Sequence, residues 1–163
     1  GACTAEACTA VIAAAHRHGV PVIVDPKGGD WGRYWGADYI TPNLRELNEV
    51  QKEAAANEDA AVERAARYAL RRFHIKAMVA TRSERGLSMI QPRSAVHIPT
   101  KAQEVFDVSG AGDTVIAAFA LALAGGVSPA DSAYLANVAA GVVVGKLGTY
   151  AVSREELLAA LAR

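Results

Sequence analysis

The feature that most constrains the fold is a repeated order of elements, in which a helical pattern leads into a short apolar run. Residues 5–18 have a helical pattern that ends at Gly19, and the apolar run 20–24 follows directly. Residues 57–73 carry apolar side chains on one helical face and lead into the apolar run 77–80. This alternation predicts an α/β fold with a mostly parallel sheet flanked by helices. In such sheets ligands bind at the carboxyl ends of the strands.

Shorter elements complete the pattern. A second strand is predicted at residues 37–40, closed by Thr41-Pro42-Asn43, and a helix is predicted to begin near Leu44. Three short segments follow, at residues 86–91, 95–99 and 104–106. Because Pro92 and polar turns separate them, they favour a meander or an antiparallel edge. The remaining predicted elements are helices at residues 110–124, 129–145 and 153–162.

Composition limits the kinds of partner and compartment. A length of 163 residues suits a single domain, here residues 1–163, and 17 basic and 17 acidic side chains leave no net charge. Bulk charge therefore gives no reason to expect a nucleic-acid or membrane partner, and we expect a small-molecule ligand. Cys3 and Cys8 favour free thiols over a disulfide or metal role, which indicates a reducing cytoplasm. The chain begins with Gly1, and we expect it to be a piece of a longer protein.

Residues 107–115, DVSGAGDTV, place two glycines and a carboxylate directly before a long apolar helix. Gly110, Ala111 and Gly112 have almost no side chains, so the backbone amides from Gly110 to Asp113 can converge on one anion. This run therefore predicts an anion site at the helix start.

The role of Asp113 has two interpretations. An acidic side chain in a first helical turn ordinarily stabilises the helix dipole, and Asp107 or Ser109 would then be an ordinary cap. In the functional interpretation, Asp113 takes a proton from a hydroxyl while the amides hold the phosphoryl group in transfer. The residues alone leave both interpretations open.

Residues 107–118, DVSGAGDTVIAA, resemble the C-terminal signature of the ribokinase-like sugar kinases position by position. The resemblance implies a ribokinase-like fold and ATP as the phosphoryl donor. It also implies that Asp113 is the catalytic base and that the Gly110, Ala111 and Gly112 amides form the anion hole. The resemblance further implies that the chain corresponds to the C-terminal, nucleotide-binding half of such a kinase.

Residues 41–46, TPNLRE, resemble the Asn-x-x-Glu element of the same family. The resemblance implies that Asn43 and Glu46 organise magnesium, phosphate and water, with Mg²⁺ held through water. Asparagine and glutamate oxygens suit a hard cation that keeps several waters. Alternatively, Asn43 caps a helix and Glu46 completes a capping box, and both roles are compatible.

Residues 81–86, TRSERG, occupy the place of the family's Thr-x-Gly-x-x-Gly nucleotide loop. Thr81, Arg82 and Gly86 are therefore nucleotide-site candidates, with an ordinary strand-end turn as the alternative. Ser83 replaces the middle glycine of the family pattern, which weakens a close backbone approach to phosphate at that position.

Three further runs are similar to the bacterial heptose 7-phosphate kinases, the kinase domain of the bifunctional ADP-heptose synthesis enzymes. They are residues 24–28 with Tyr34 and Gly36 behind them, residues 99–107 and residues 136–149. The resemblance implies phosphorylation of D-glycero-D-manno-heptose 7-phosphate at its anomeric hydroxyl, for lipopolysaccharide core precursors. It also places Asn137 and Ala140 near the adenine. The resemblance also implies that the chain lacks the N-terminal half, which would carry most sugar-binding residues, and the adenylyltransferase domain.

Other interpretations remain open. The alternative among enzymes is a ribokinase-like kinase for another sugar phosphate. The alternative outside enzymes is a nucleotide-binding or assembly module without catalysis. An exposed sheet edge, left where the N-terminal half is missing, predicts self-association into a homo-oligomer. Lys27 is able to reach a substrate or nucleotide phosphate, and an ordinary solvated loop lysine is the alternative.

Overall fold

The structure, a computed structural model, describes residues 2–100 and 105–162. The chain separates into two compact units. Unit 1 contains the residues up to Arg82 together with Ser88–Val96. Unit 2 contains Ser83–Leu87 together with the residues from His97 onward.

A five-stranded sheet runs in the order β1-β2-β3-β4-β5. The strands are β1 (Ile23–Val24), β2 (Tyr39–Ile40), β3 (Ala77–Thr81), β4 (Leu87–Ile90) and β5 (Ala95–Ile98). Strands β1, β2 and β3 are parallel. Only residues 82–86 join β3 to β4 and only residues 91–94 join β4 to β5, which is too short for the crossover that parallel neighbours need. The sheet is therefore mixed, with the predicted parallel part and the predicted antiparallel edge.

Unit 1 carries three α-helices, α1 (Ala5–Arg17), α2 (Leu44–Glu49) and α3 (Asp59–Phe73). The Thr4 side chain caps α1 by accepting a hydrogen bond from the Ala7 amide at 3.2 Å. Helix α3 buries the apolar face that its sequence predicts, which consists of Val62, Ala65, Ala66, Ala69, Leu70 and Phe73.

Trp31 lies in the hydrophobic core of unit 1, on a short 3₁₀ helix (Trp31–Tyr34). Its side chain is fully buried, and its ring centroid lies 5.8 Å from that of Phe73. Its indole N–H donates to the Gly28 carbonyl at 3.1 Å, so the buried donor is satisfied. This bond fastens the loop after β1 to the core.

Unit 2 is built on α4 (Ala111–Ala124), α5 (Pro129–Val143) and α6 (Arg154–Leu161). Helix α4 packs against α5, and α5 packs against α6. Ser128 and Ser153 cap α5 and α6 through their side chains. The apolar side chains buried in these helices are mostly small or aliphatic, which permits close packing: Val115, Phe119, Ala122, Ala133, Ala136, Val138, Ala139 and Val143.

The predicted helices are confirmed, with ends that differ by at most two residues. The run 20–24 forms a strand only from Ile23. The predicted strand at residues 104–106 is wrong for Val105 and Phe106, and Glu104 lies outside the described residues. The Phe106 amide instead donates to the Val144 carbonyl at 2.8 Å, so this segment follows the end of α5.

In the described part of the chain, no helix is both long and apolar enough to cross a bilayer.

Gly86 gives a test of this packing, because it adopts a φ of +78° and presses against the chain at residues 98–100. An added Cβ would collide with the Ile98 carbonyl oxygen and lie 2.5 Å from the Thr100 amide nitrogen. We expect Gly86→Ala to lower the free energy of unfolding by more than about 2 kcal/mol, from backbone strain and overpacking together. Thermal and denaturant unfolding measure this loss.

The matched control is Gly126→Ala in the same unit. Gly126 has a φ of +81°, but a Cβ there meets nothing within 4 Å. This variant should lose only about 1 kcal/mol, from the left-handed backbone alone. Equal losses in the two variants would contradict the close approach at Gly86.

Candidate functional site

Polar side chains of unit 1 follow three neighbouring parallel strands. Asp25 and Lys27 follow β1, Asn43 and Glu46 follow β2, and Thr81 ends β3. Asn43 and Thr81 form a parallel bridge, and the Thr81 amide donates to the Pro42 carbonyl at 2.9 Å. We call these five residues the strand-end cluster. Parallel pairing gathers them because the carboxyl ends of such strands meet at one edge.

Asn43 and Glu46 form a capping box at the start of α2. The Asn43 Oδ1 accepts from the Glu46 amide at 2.9 Å, and the Glu46 Oε2 accepts from the Asn43 amide at 2.9 Å. Glu46 is only 9% exposed, so the box fixes a carboxylate within the protein. The capping interpretation is confirmed, and the role of both residues at magnesium stays a prediction.

Lys27 lies between two carboxylates. Its Nζ is 3.0 Å from Asp25 Oδ2 and 3.2 Å from Glu46 Oε1. The hydrogen bond to Asp25 raises the pKa of Lys27; burial opposes this, and the hydrogen bond to Glu46 adds to it. The Lys27 side chain is nevertheless 71% exposed.

Arg82 was expected near the nucleotide, and the structure encloses its side chain in unit 1. The residue is 2% exposed. Its guanidinium donates to Asn57 Oδ1 at 2.9 Å, to Asp59 Oδ1 at 2.6 Å and to Ser88 Oγ at 3.0 Å. These bonds fasten the end of β3 to the start of α3. A nucleotide contact at Arg82 stays a prediction.

The backbone of the predicted nucleotide loop is glycine-like at two positions. Ser83 has a φ of +53°, in the left-handed region that favours glycine. Gly86 has a φ of +78° and donates its amide to the Ser83 carbonyl at 3.0 Å. Ser83 therefore has a backbone conformation that favours glycine, although it carries a side chain.

Helix α4 of unit 2 begins without a side-chain cap. Gly110 is its N-cap residue, with a φ of +79° and no side chain to bond the first-turn amides. The Ala111 amide donates to the Val108 carbonyl at 3.2 Å within the preceding turn. The amides of Gly112 and Asp113 follow in the first turn, where a helix offers them no internal acceptor. These features favour binding of an anion at the N-terminal end of α4.

The Asp113 side chain is exposed in that first turn. Within residues 2–100 and 105–162, no hydrogen bond or ion pair reaches its carboxylate. A carboxylate in this position is accessible to a ligand at the helix start.

Asp107 does not cap α4. Its Oδ1 accepts from the Ser109 amide at 2.8 Å, and its Oδ2 accepts from the Gly148 amide at 3.1 Å. The Ser109 amide and hydroxyl, followed by the Gly148 amide, lower the pKa of Asp107 below the ordinary aspartate range. Asp107 therefore clamps the loop before α4 to the loop after α5.

Asn137 and Ala140 lie on α5. Asn137 is 6% exposed, and its side-chain Nδ2 donates to the Pro99 carbonyl at 2.8 Å. This bond holds the chain after β5 against α5. Ala140 is partly exposed. The placement of both residues beside an adenine stays a prediction.

The structure thus gathers the predicted residues in two sets, one in each unit. Asn43, Glu46 and Thr81 are neighbours in unit 1, and residues 110–113 form the start of α4 in unit 2. Sequence reasoning did not single out Asp25, although an acidic residue directly after a predicted strand was a usable signal. Among the described residues, no group of three or more His, Cys, Asp or Glu side chains is arranged to ligate a metal.

Comparison with known proteins decides the family. The family model described as pfkB family carbohydrate kinase matches residues 1–156. The chain belongs to the pfkB family. A curated relative named bifunctional protein HldE, from Mesorhizobium japonicum, is 54% identical over 94% of this chain and 31% of its own length. The protein of the same name from Geobacter sulfurreducens is 49% identical over 99% of this chain and 33% of its own length. The chain spans about a third of these relatives.

Solved structures of two other kinases share the fold. Ribokinase of Arabidopsis thaliana, complexed with ribose and ATP, has a TM-score of 0.86 and 25% identity, over 97% of this chain and 53% of that one. Phosphofructokinase-2 of Escherichia coli, in complex with potassium, has a TM-score of 0.85 and 21% identity, over 98% and 52%. The ribokinase-like fold is confirmed.

The Asp107 clamp predicts a pH-dependent stability. Because folding lowers the Asp107 pKa, its contribution is fully present above the unfolded pKa and is lost as the pH falls through the folded pKa. We expect Asp107→Asn to unfold at a lower temperature than the unchanged chain at pH 7, because an asparagine amide cannot accept from both the Ser109 and Gly148 amides. The difference should shrink as the pH falls below about 4.

Melting temperatures of both proteins from pH 7 to pH 3 measure this difference. Glu155→Gln, at an exposed glutamate in the first turn of α6, is the control and should change little at any pH. A constant difference between Asp107→Asn and the unchanged chain over the whole range would contradict the clamp.

Proposed function

We propose that the chain is the C-terminal, nucleotide-binding part of a single kinase domain, within a longer protein that we call the longer kinase. The longer kinase would transfer the γ-phosphate of ATP to the anomeric hydroxyl of D-glycero-D-manno-heptose 7-phosphate, in the cytoplasm. Support comes from the runs that resemble heptose kinases, at residues 24–28 with Tyr34 and Gly36, 99–107 and 136–149, and from curated relatives that are about half identical to the chain. The 163-residue chain alone would be inactive, because most sugar-binding residues lie in the other half.

The observation that carries this proposal is the uncapped start of α4, with an exposed aspartate in its first turn. In the proposed reaction, Asp113 takes the proton of the sugar hydroxyl as its oxygen bonds to the γ-phosphorus. The bond between that phosphorus and the bridging oxygen breaks, and ADP leaves with the electron pair. Amides from Gly110 to Asp113, with Gly112 and Asp113 best placed, stabilise charge on the transferred group.

Asn43 and Glu46 fit a magnesium ion that keeps its water shell. Asn43 Oδ1 and both Glu46 oxygens each accept one hydrogen bond and retain a second lone pair for a metal-bound water. The Lys27 ammonium against Glu46 Oε1 makes direct ligation by that oxygen unfavourable. When bound, magnesium supplies positive charge that neutralises the phosphates.

The remaining candidates would contact the nucleotide. Thr81 and Gly86 border the predicted loop, while Asn137 and Ala140 would line the adenine side. Arg82 would act indirectly, because its enclosed guanidinium fixes the strand end that precedes the loop.

Two other functions stay open to test. A ribokinase-like kinase for another sugar phosphate would be separated by assaying the longer kinase with a panel of phosphorylated sugars. A non-catalytic module that binds nucleotide and self-associates into a homo-oligomer is the second candidate. It would give nucleotide binding without transfer in the longer kinase.

Asp113→Asn tests the proposed base. We expect turnover of the longer kinase to fall by about 100-fold or more, since a positioned base contributes about 10²–10⁴-fold. The dissociation constant for ADP should stay within about threefold, because the amide keeps the size of the carboxylate.

The matched control is Asp131→Asn. Asp131 also lies in the first turn of a unit 2 helix, where its side chain is 2.6 Å from the Ser128 hydroxyl. This change should leave turnover unaffected. Unchanged turnover in Asp113→Asn would remove Asp113 from the mechanism.

The isolated chain offers a second prediction. We expect calorimetric titration with Mg·ADP to show saturable binding, and the sugar-phosphate transfer assay on the same chain to show no product. Binding with transfer would contradict the assignment of the sugar-binding residues to the other half. Absence of binding would contradict a nucleotide site formed by this chain alone.

A further inference from the structure

Lys27 is held more firmly than a surface lysine usually is. Its ammonium contacts Asp25 Oδ2 at 3.0 Å and Glu46 Oε1 at 3.2 Å, and the Glu46 carboxylate is itself fixed by the capping box. The Lys27 carbonyl accepts a hydrogen bond from the Arg33 guanidinium. Both the backbone and the end of the side chain are therefore positioned before any ligand arrives.

This lysine also remains accessible. A lysine ammonium has three N–H donors, and two of them are directed at the carboxylates. With 71% of the side chain exposed, the third donor is available to an acceptor from solvent. A group that is both fixed and accessible binds with less loss of conformational freedom than a mobile lysine.

The position of Lys27 favours a ligand over a purely structural role. It follows β1, at the edge where the carboxyl ends of β1, β2 and β3 meet, and ligands of open α/β sheets bind at that edge. A lysine held by a helix glutamate is also a general device for placing an ammonium on a phosphate, as in protein kinases. In this chain Glu46 of α2 supplies the glutamate.

We propose that Lys27 binds a phosphate oxygen of the substrates, and that Asp25 and Glu46 are positioning residues that hold its ammonium. This proposal rests on the proposed kinase function. The phosphate belongs either to the nucleotide or to the sugar phosphate, and the two sources share the same acceptor chemistry. Lys27, Asp25 and Glu46 together carry a net negative charge, which repels a free nucleotide anion. The nucleotide would therefore bind as its magnesium complex.

The test compares Lys27→Met and Lys27→Arg in the longer kinase with a matched control, Lys76→Met. Lys76 is 70% exposed and pairs with the Asp38 carboxylate at 2.6 Å, so it forms the same kind of ion pair. It precedes β3, at the opposite end of the parallel strands. Calorimetry gives the dissociation constant of Mg·ADP, and initial rates give the KM for the sugar phosphate.

Lys27→Met should raise one of these two constants by about 10- to 100-fold, because it removes a charge-assisted hydrogen bond. An increase in the dissociation constant of Mg·ADP assigns Lys27 to the nucleotide phosphate. An increase in the KM for the sugar phosphate assigns it to the sugar phosphate. Lys27→Arg, which keeps the charge on a longer and planar group, should recover part of the lost binding. Lys76→Met should change neither constant.

The proposal is overturned if Lys27→Met changes both constants no more than Lys76→Met does, or if Lys27→Arg restores nothing. If Lys27→Met fails to fold, as judged by its melting curve, Lys27→Gln takes its place, and the same increase in one of the two constants is expected. A wild-type protein that neither binds Mg·ADP nor transfers phosphate would instead overturn the proposed function, so the two failures are distinguishable.

Discussion

Parallel pairing of β1, β2 and β3 is the constraint on which the polar groups of unit 1 depend. The register places Ile23 beside Tyr39 and Tyr39 beside Ala77, so the three strands end close together. Because these three strands run the same way, the residues that follow each of them lie at a single edge. The bridge between Asn43 and Thr81, and the contact of Lys27 with Glu46, both follow from that arrangement. Residues that are distant in sequence thereby meet in the strand-end cluster.

Helices α2 and α4 differ in what is available to accept hydrogen bonds from their first-turn amides. At α2, the side chains of Asn43 and Glu46 satisfy first-turn and cap amides, which leaves a rigid carboxylate with spare lone pairs. At α4, Gly110 provides no cap, and first-turn amides remain for an external acceptor. The first arrangement suits interaction with a hydrated cation, and the second suits an anion. Phosphoryl transfer requires both kinds of charge compensation.

Much of the fold was predictable, because helices are encoded locally. The apolar face of α3 and the serine caps of α5 and α6 are visible in the sequence, and those helices were found as predicted. Interactions between distant residues were not visible. Asp107 accepts from Gly148, which lies 41 positions away, and no local pattern distinguishes this clamp from a cap. The +53° φ of Ser83 was hidden as well, because serine rarely adopts it without support from its surroundings. The candidate site was therefore predicted as a set of residues, while its internal bonds were not.

The order of the sheet has a consequence for how the chain acquires its structure. Spatial order and chain order coincide from β1 to β5, so every strand pairs with the strand that precedes it in the sequence. Only residues 82–86 and 91–94 separate the strands of the β3–β4 and β4–β5 pairs, whereas residues 25–38 and 41–76 separate those of the parallel β1–β2 and β2–β3 pairs. The two short loops cost less entropy to close, so we expect the antiparallel edge to pair faster than the parallel strands. During synthesis, each strand that leaves the ribosome would find its partner already present, since chains emerge from the N-terminal end. The sheet can therefore grow by addition at one edge, without waiting for residues that are still to be translated.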